Sequence, residues 1–95
     1  MNIRMFLKHR HIFKEDFYSI EDLEDYLTEQ GATLTVCENI ESSQGGVLSY
    51  IGDVHYPDCY GYSEALYAEY LSAGQIDDLR KALNLLAEEF SVQPV

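Results

Sequence analysis

The stretch GDVHYPDCYGY, Gly52–Tyr62, gathers His55, Asp53, Asp58, Cys59 and three tyrosines into eleven residues. Three chemistries fit those side chains. Imidazole and thiolate are zinc ligands, which the metal holds at four corners. A thiolate beside an imidazole is an activated nucleophile. Tyrosines interleaved with acids suit arginine-rich surfaces, because the ring stacks on guanidinium and the acid pairs with its charge.

Each chemistry makes its own demand on spacing. A metal site needs more ligands than this stretch holds. His9 and His11 lie two apart in an alternating segment, so they point the same way; they would join His55 and Cys59 only if the two segments were neighbouring strands. The chain has no Cys-x-x-Cys and no His-x-x-x-His pair, so spacing assigns no metal. A Cys59–His55 nucleophile needs an orienting third group and an oxyanion site, and a turn after Pro57 spells neither. Asp53 and Asp58 are also the wrong neighbours for a thiolate. The Gly45-Gly46 pair reads as a turn rather than a phosphate cradle. No catalytic residue and no cofactor are assigned.

The tyrosines are more informative. The chain has eight and no tryptophan, and Tyr50, Tyr56, Tyr60, Tyr62, Tyr67 and Tyr70 fall between positions 50 and 70. Asp53, Asp58, Glu64 and Glu69 lie among them. Tyrosine offers a large apolar ring and a polar tip at low entropic cost, which suits an interface. Tyr60 and Tyr62, in the turn, are expected to be exposed; the others have a core-facing reading.

Charge is distributed one-sidedly. The net charge is −11, yet residues 15–79 hold fifteen Asp or Glu and no Lys or Arg. Arg4, Lys8, Arg10 and Lys14 all precede that span, and Arg80 and Lys81 follow it. Ordinary soluble surfaces mix both signs. A single-sign field works against binding nucleic acid, whose phosphates demand Lys and Arg, and against an anionic membrane.

Ninety-five residues predict a single domain, 1–95, that buries roughly 60–65% of its unfolded surface. Residues 2–14 alternate and predict one long strand with a cationic outer face. YSIEDLEDYLTEQG predicts a helix capped by Ser19 and Asp22, with Ile20, Leu23, Tyr26 and Leu27 on its apolar stripe and Gly31 as its stop. Glu21, Asp22, Glu24 and Asp25 fall off that stripe. Residues 32–38 predict a strand. Leu48, Tyr50, Val54 and Tyr56 predict one face of another, with Gly52 as a bulge. Residues 64–71 fit helix or strand equally. Ser72 with Gln75 predicts a capping box that opens a last helix, whose stripe is Ile76, Leu79, Ala82, Leu83, Leu86 and Phe90. The tail SVQPV has room for a short edge strand.

The order predicts an α+β fold: an antiparallel sheet of three or four strands, with two helices on one face, or three if residues 64–71 are helical. A split βαβ, ferredoxin-like order fits best. Two cysteines are too few for a secreted disulfide scaffold; Cys37 and Cys59 read as reduced, partly buried thiols, with a bond between them left open. The N-terminal segment lacks the apolar run of a signal peptide, and a cytoplasmic protein is expected.

The expected function is a small acidic non-enzymatic binding protein or inhibitor. It would dock on the Lys/Arg-rich surface of a nucleic-acid-handling protein in the manner of a DNA or RNA mimic, without touching nucleic acid or membrane itself. Phage anti-defence proteins, anti-CRISPR inhibitors among them, and nuclease immunity proteins share this small acidic type. The expected contact residues are Asp53, Asp58, Tyr60, Tyr62, Glu64, Glu69, Glu21, Asp22, Glu24 and Asp25. Two alternatives stand beside it: a metal- or thiol-dependent enzyme using His9, His11, His55 and Cys59, and a homodimerising structural module with a tyrosine seam.

Overall fold

The computed structural model describes residues 3–8, 14–42, 48–69 and 71–91. Strands β1 (Met5–Lys8) and β2 (Lys14–Phe17) pair antiparallel, with Met5 opposite Phe17 and Lys8 opposite Lys14. This corrects the single strand expected over 2–14, because the chain has reversed by Lys14. Alternation reports faces and is blind to reversals: Ile3, Met5 and Leu7 do face the core. His9 and His11, Tyr70, the Gly45-Gly46 turn and the expected edge strand of the tail lie outside the described residues.

Helix α1 (Ile20–Gln30) starts and stops as its residue types dictate. Ser19 Oγ accepts the Asp22 N–H at 3.1 Å, and Asp22 Oδ2 accepts the Tyr18 N–H at 3.1 Å. Gly31 takes the left-handed conformation (φ 60°) that closes the helix, where a side chain would be strained. Strand β3 (Thr33–Val36), β4 (Ser49–Tyr56) and β5 (Tyr62–Ala68) follow, then helix α2 (Ala73–Glu89). Residues 62–68 are thus a strand, which settles the ambiguous stretch over 64–68. The Ser72 N–H donates to Gln75 Oε1 at 2.9 Å, so the box that opens α2 forms as expected.

Among the described residues the sheet has five strands rather than three or four, in the order β2-β1-β5-β4-β3, with every neighbouring pair antiparallel. Four antiparallel steps separate β2 from β3, so these edge strands run parallel. Helix α1 carries the chain from one edge to the other. The βαβ unit is therefore split by three strands, where the expected ferredoxin-like order has one. The extra strand is β2, whose sequence KEDF is too polar to look like a strand and survives because it sits at an edge.

Both helices cover one face. Leu23 and Leu27 from α1, and Leu79, Leu83 and Leu86 from α2, join Met5, Leu7, Phe17, Leu34, Val54 and Leu66 in one core. Each fully buried leucine contributes about 1.5–3 kcal/mol. The β3 edge is closed by the end of α2, where the Phe90 carbonyl accepts the Leu34 N–H at 3.0 Å. Among the described residues no helix is long and apolar enough to cross a membrane.

Strand β4 carries the bulge. Tyr50 lies opposite Tyr67 and Gly52 opposite Leu66, so Ile51 is the extra residue. The bulge breaks the expected face: Val54 and Tyr56 point to the core with Ile51, whereas Tyr50 points to the open face and Leu48 is exposed. A β-carbon at Gly52 would lie 2.4 Å from the Thr35 carbonyl oxygen on β3. Gly52→Ala is therefore expected to lose about 1–3 kcal/mol by forcing β3 from β4. Thermal unfolding reads the loss as a lower Tm, and a Tm equal to wild type would show that the strands separate without cost.

Candidate binding surface

The turn between β4 and β5 puts its side chains into solvent. The Cys59 N–H donates to the Tyr56 carbonyl at 3.0 Å, and the Tyr62 N–H to the Cys59 carbonyl at 3.0 Å. To close that pattern Tyr60 and Gly61 both take positive φ, 56° and 74°. Glycine does this freely; a tyrosine is strained there by about 1–2 kcal/mol. The Tyr60 ring recovers nothing by packing, being the most exposed large apolar side chain described. Asp58 and Cys59 are exposed beside it.

This turn adjoins the C-terminal end of α1, since a β-carbon at Gly31 would lie 3.9 Å from Asp58 Oδ2. Negative potential accumulates there. The helix has no basic residue in its last turn, and exposed Glu29 sits at its negative dipole end. Glu21, Asp22 and Asp25 are exposed on the same helix and Glu24 is half-buried. An eleven-residue helix is about 16 Å long, so Glu21 and Asp22 lie a full helix length from the turn.

Beneath the turn a hydrogen-bonded cluster fixes β5 against α1. The Tyr26 and Tyr56 hydroxyls lie 2.6 Å apart. Tyr56 donates to Glu64 Oε2 at 3.2 Å, and Tyr62 donates to Glu64 Oε1 at 2.7 Å. The Tyr56 and Tyr62 rings stack at 5.8 Å, and Phe17 meets Tyr26 edge-on at 5.2 Å. Glu64 is 6% exposed. Its expected place on the outer surface is thereby corrected: β5 turns it inward with Leu66 and Ala68, and the carboxylate is retained because two phenols bond it. Tyr62 remains 38% exposed.

The helix-free face carries a different set. Phe6, Tyr67 and Tyr50 form a row across β1, β5 and β4, with ring centroids 5.8 and 6.1 Å apart. Arg4 lies 5.0 Å over the Phe6 ring, 2.7 Å from Asp16 and 2.9 Å from Glu69. Hydrogen bonding to Glu69 and the Asp16 charge outweigh partial desolvation and raise the guanidinium above its ordinary range. Asp53 accepts the Tyr50 hydroxyl. Asp53 and Glu69 are thus engaged within the sheet face, on the side opposite the acids of α1.

The ten expected contact residues therefore do not form one patch. Asp58 and Tyr62 lie by the end of α1, with Tyr60 in the same turn but in solvent; Asp53 and Glu69 lie on the open face; Glu64 is inside. His55 and Cys59 are also separated. The His55 ring bonds Thr35 Oγ1 at 2.8 Å on the open face, whereas Cys59 borders a 220 Å³ hollow with Tyr26, Gln30, Tyr56, Tyr62 and Glu64 on the helix side. Both cysteines are free thiols, Cys37 half-buried and Cys59 exposed. Among the described residues no three His, Cys, Asp or Glu side chains stand where they could hold a metal. Sequence reasoning missed the Tyr26–Tyr56–Glu64 cluster. The alternation Tyr62, Glu64, Leu66, Ala68 would have revealed its inward carboxylate once residues 62–68 were read as a strand.

The buried phenols make stability fall in alkali. Burial, then the Tyr26 hydrogen bond and the Glu64 charge, push the Tyr56 hydroxyl far above its ordinary value of 10.0. Burial likewise raises Tyr26, and burial with the Asp53 bond raises Tyr50. The native state keeps protons that the unfolded chain releases, so this stabilisation is complete below about pH 10 and declines as pH rises beyond it. Tm measured at about pH 9 and pH 11 should drop for wild type and drop less for Tyr56→Phe. Equal slopes would remove Tyr56 as the source.

Comparison with protein-family models, with curated proteins and with solved structures gave no match to this chain.

Proposed function

We propose that this chain is a small acidic binding protein that occupies a Lys/Arg-rich surface of a nucleic-acid-handling protein, in the cytoplasm, and so acts as an inhibitor. One observation carries the reading: Tyr60 is held in a strained left-handed backbone with its ring in solvent, in the turn whose Asp58 lies near the negative end of α1. Strain without packing is what a presented contact residue requires, and an outlier of this kind supports a functional reading. Eleven of the fifteen acids in residues 15–79 are exposed, which supplies a long-range field of one sign. That field would speed encounter with a basic partner, and the Tyr60 and Tyr62 rings would slow its release. Nucleic-acid-handling proteins are the class named because their phosphate sites concentrate Lys and Arg.

Stability and binding separate at Tyr60. Tyr60→Gly and Tyr60→Ala both remove the ring, but only glycine relaxes the backbone. Tyr60→Gly is expected to exceed Tyr60→Ala in stability by about 1 kcal/mol, while both weaken partner binding. Equal stabilities would show that the turn is unstrained.

The function is tested by affinity capture from host lysate at low and high salt, with wild type and Tyr60→Ala in parallel. A captured basic protein should associate more slowly as salt rises, should be displaced by free nucleic acid, and should be lost from the variant. Capture that nucleic acid does not displace overturns the mimic reading. Capture that Tyr60→Ala does not weaken overturns the role of the turn.

A further inference from the structure

A groove lies on the helix layer, away from the turn. Between the start of α1 and the end of α2 runs a groove of about 430 Å³, lined by Ile20, Glu24, Ala82, Leu85, Leu86, Glu88 and Glu89. Its floor is apolar and its rim is three glutamates. Leu85 is 66% exposed, and the spacing of α2 does not require it there, since Leu79, Leu83 and Leu86 already fill the buried stripe. Glu88 and Glu89 stand in the last turn of α2, where no basic residue is present and the helix dipole opposes them. Of the two cations of α2, Arg80 Nη1 is turned to Asp77 at 3.8 Å, and exposed Lys81, one turn before Leu85, leaves the three glutamates in excess. An apolar side chain in solvent and two carboxylates at an unfavourable helix end are both relieved by one kind of occupant.

The geometry points to this groove as the seat of a basic amphipathic helical segment of the partner, an apolar residue resting on Leu85, Leu86 and Ile20 while flanking Lys or Arg meet Glu24, Glu88 and Glu89. This rests on the docking reading above and adds where an apolar anchor enters. Charge selects the occupant. A second copy of this chain would bring six glutamates together at net charge −11 per copy, whereas a lysine-bearing helix neutralises three. Helix-in-groove recognition uses such anchors at helical spacing.

The test is direct titration of the full chain with a synthetic helical peptide of leucine and lysine, against a control peptide in which serine replaces every leucine. Wild type should bind the leucine peptide saturably. Leu85→Ser, which alters no charge and removes an exposed side chain, should weaken it about tenfold and leave the control peptide unaffected. Glu88→Gln with Glu89→Gln should weaken both peptides and flatten the salt dependence. Tyr60→Ala should change neither. Equal binding of the leucine peptide to wild type and Leu85→Ser overturns the proposal, as does sedimentation showing a dimer that Leu85→Ser dissociates, which would make a second copy the occupant. The two readings fail separately: peptide binding without capture of any basic protein leaves the groove standing and removes the function, whereas capture through Tyr60 with no effect at Leu85 removes the groove alone.

Discussion

The close passage of the Thr35 carbonyl over Gly52, where no side chain would fit, shapes the sheet. It lets β3 lie against the bulged part of β4, and the bulge decides which side chains of β4 reach the core. One extra residue at Ile51 sends Tyr50 to the open face and Tyr56 to the helix face. Tyr50 then completes the row with Tyr67 and Phe6, and Tyr56 reaches Tyr26 and Glu64. Without the bulge a two-residue period would place Tyr50 and Tyr56 together, and neither cluster would form.

The two faces follow different physical rules. On the helix side apolar side chains dominate, and the one buried carboxylate among the described residues, Glu64, is held by phenol donors. On the open side Arg4 joins β2, β1 and the end of β5 through two carboxylates and a ring. Half-exposed pairs of this sort contribute at most about 1 kcal/mol each. What they accomplish is mainly local neutralisation: Asp16 and Glu69 are matched there, while the acids around α1 and the 57–61 turn are left to face outward.

Elements with their own punctuation were legible in the sequence. Ser19, Gly31 and the Ser72–Gln75 pair bound both helices through local hydrogen bonds, which do not depend on the rest of the chain. Gly52 marked its bulge for a different reason, since only a residue without a side chain fits against the Thr35 carbonyl of β3. Residues 62–68 were not legible, because EALYA is rich in helix formers, and pairing on both sides, with β1 and β4, overrides that propensity. The reversal between β1 and β2 was hidden because alternation continues through it. At the surface, Asp58 and Tyr60 were readable from a turn sequence. So was the exposure of Leu85, which falls off the apolar stripe of α2; the burial of Glu64 was not, since it is decided by which neighbouring element arrives.

The edge-to-edge path of α1 has a kinetic side. Strand β1 has two neighbours: β2, close in sequence, and β5, whose Ala68 lies opposite Met5. Among the described residues the N-terminal pair is thus joined to the rest of the sheet through β5. During synthesis β1 and β2 must wait until residue 68 is made, and closing so long a loop slows the search for native pairing. The polar, charged sequence of β2 suits that wait, because an unpaired edge of Lys14, Glu15 and Asp16 is a poor template for another chain.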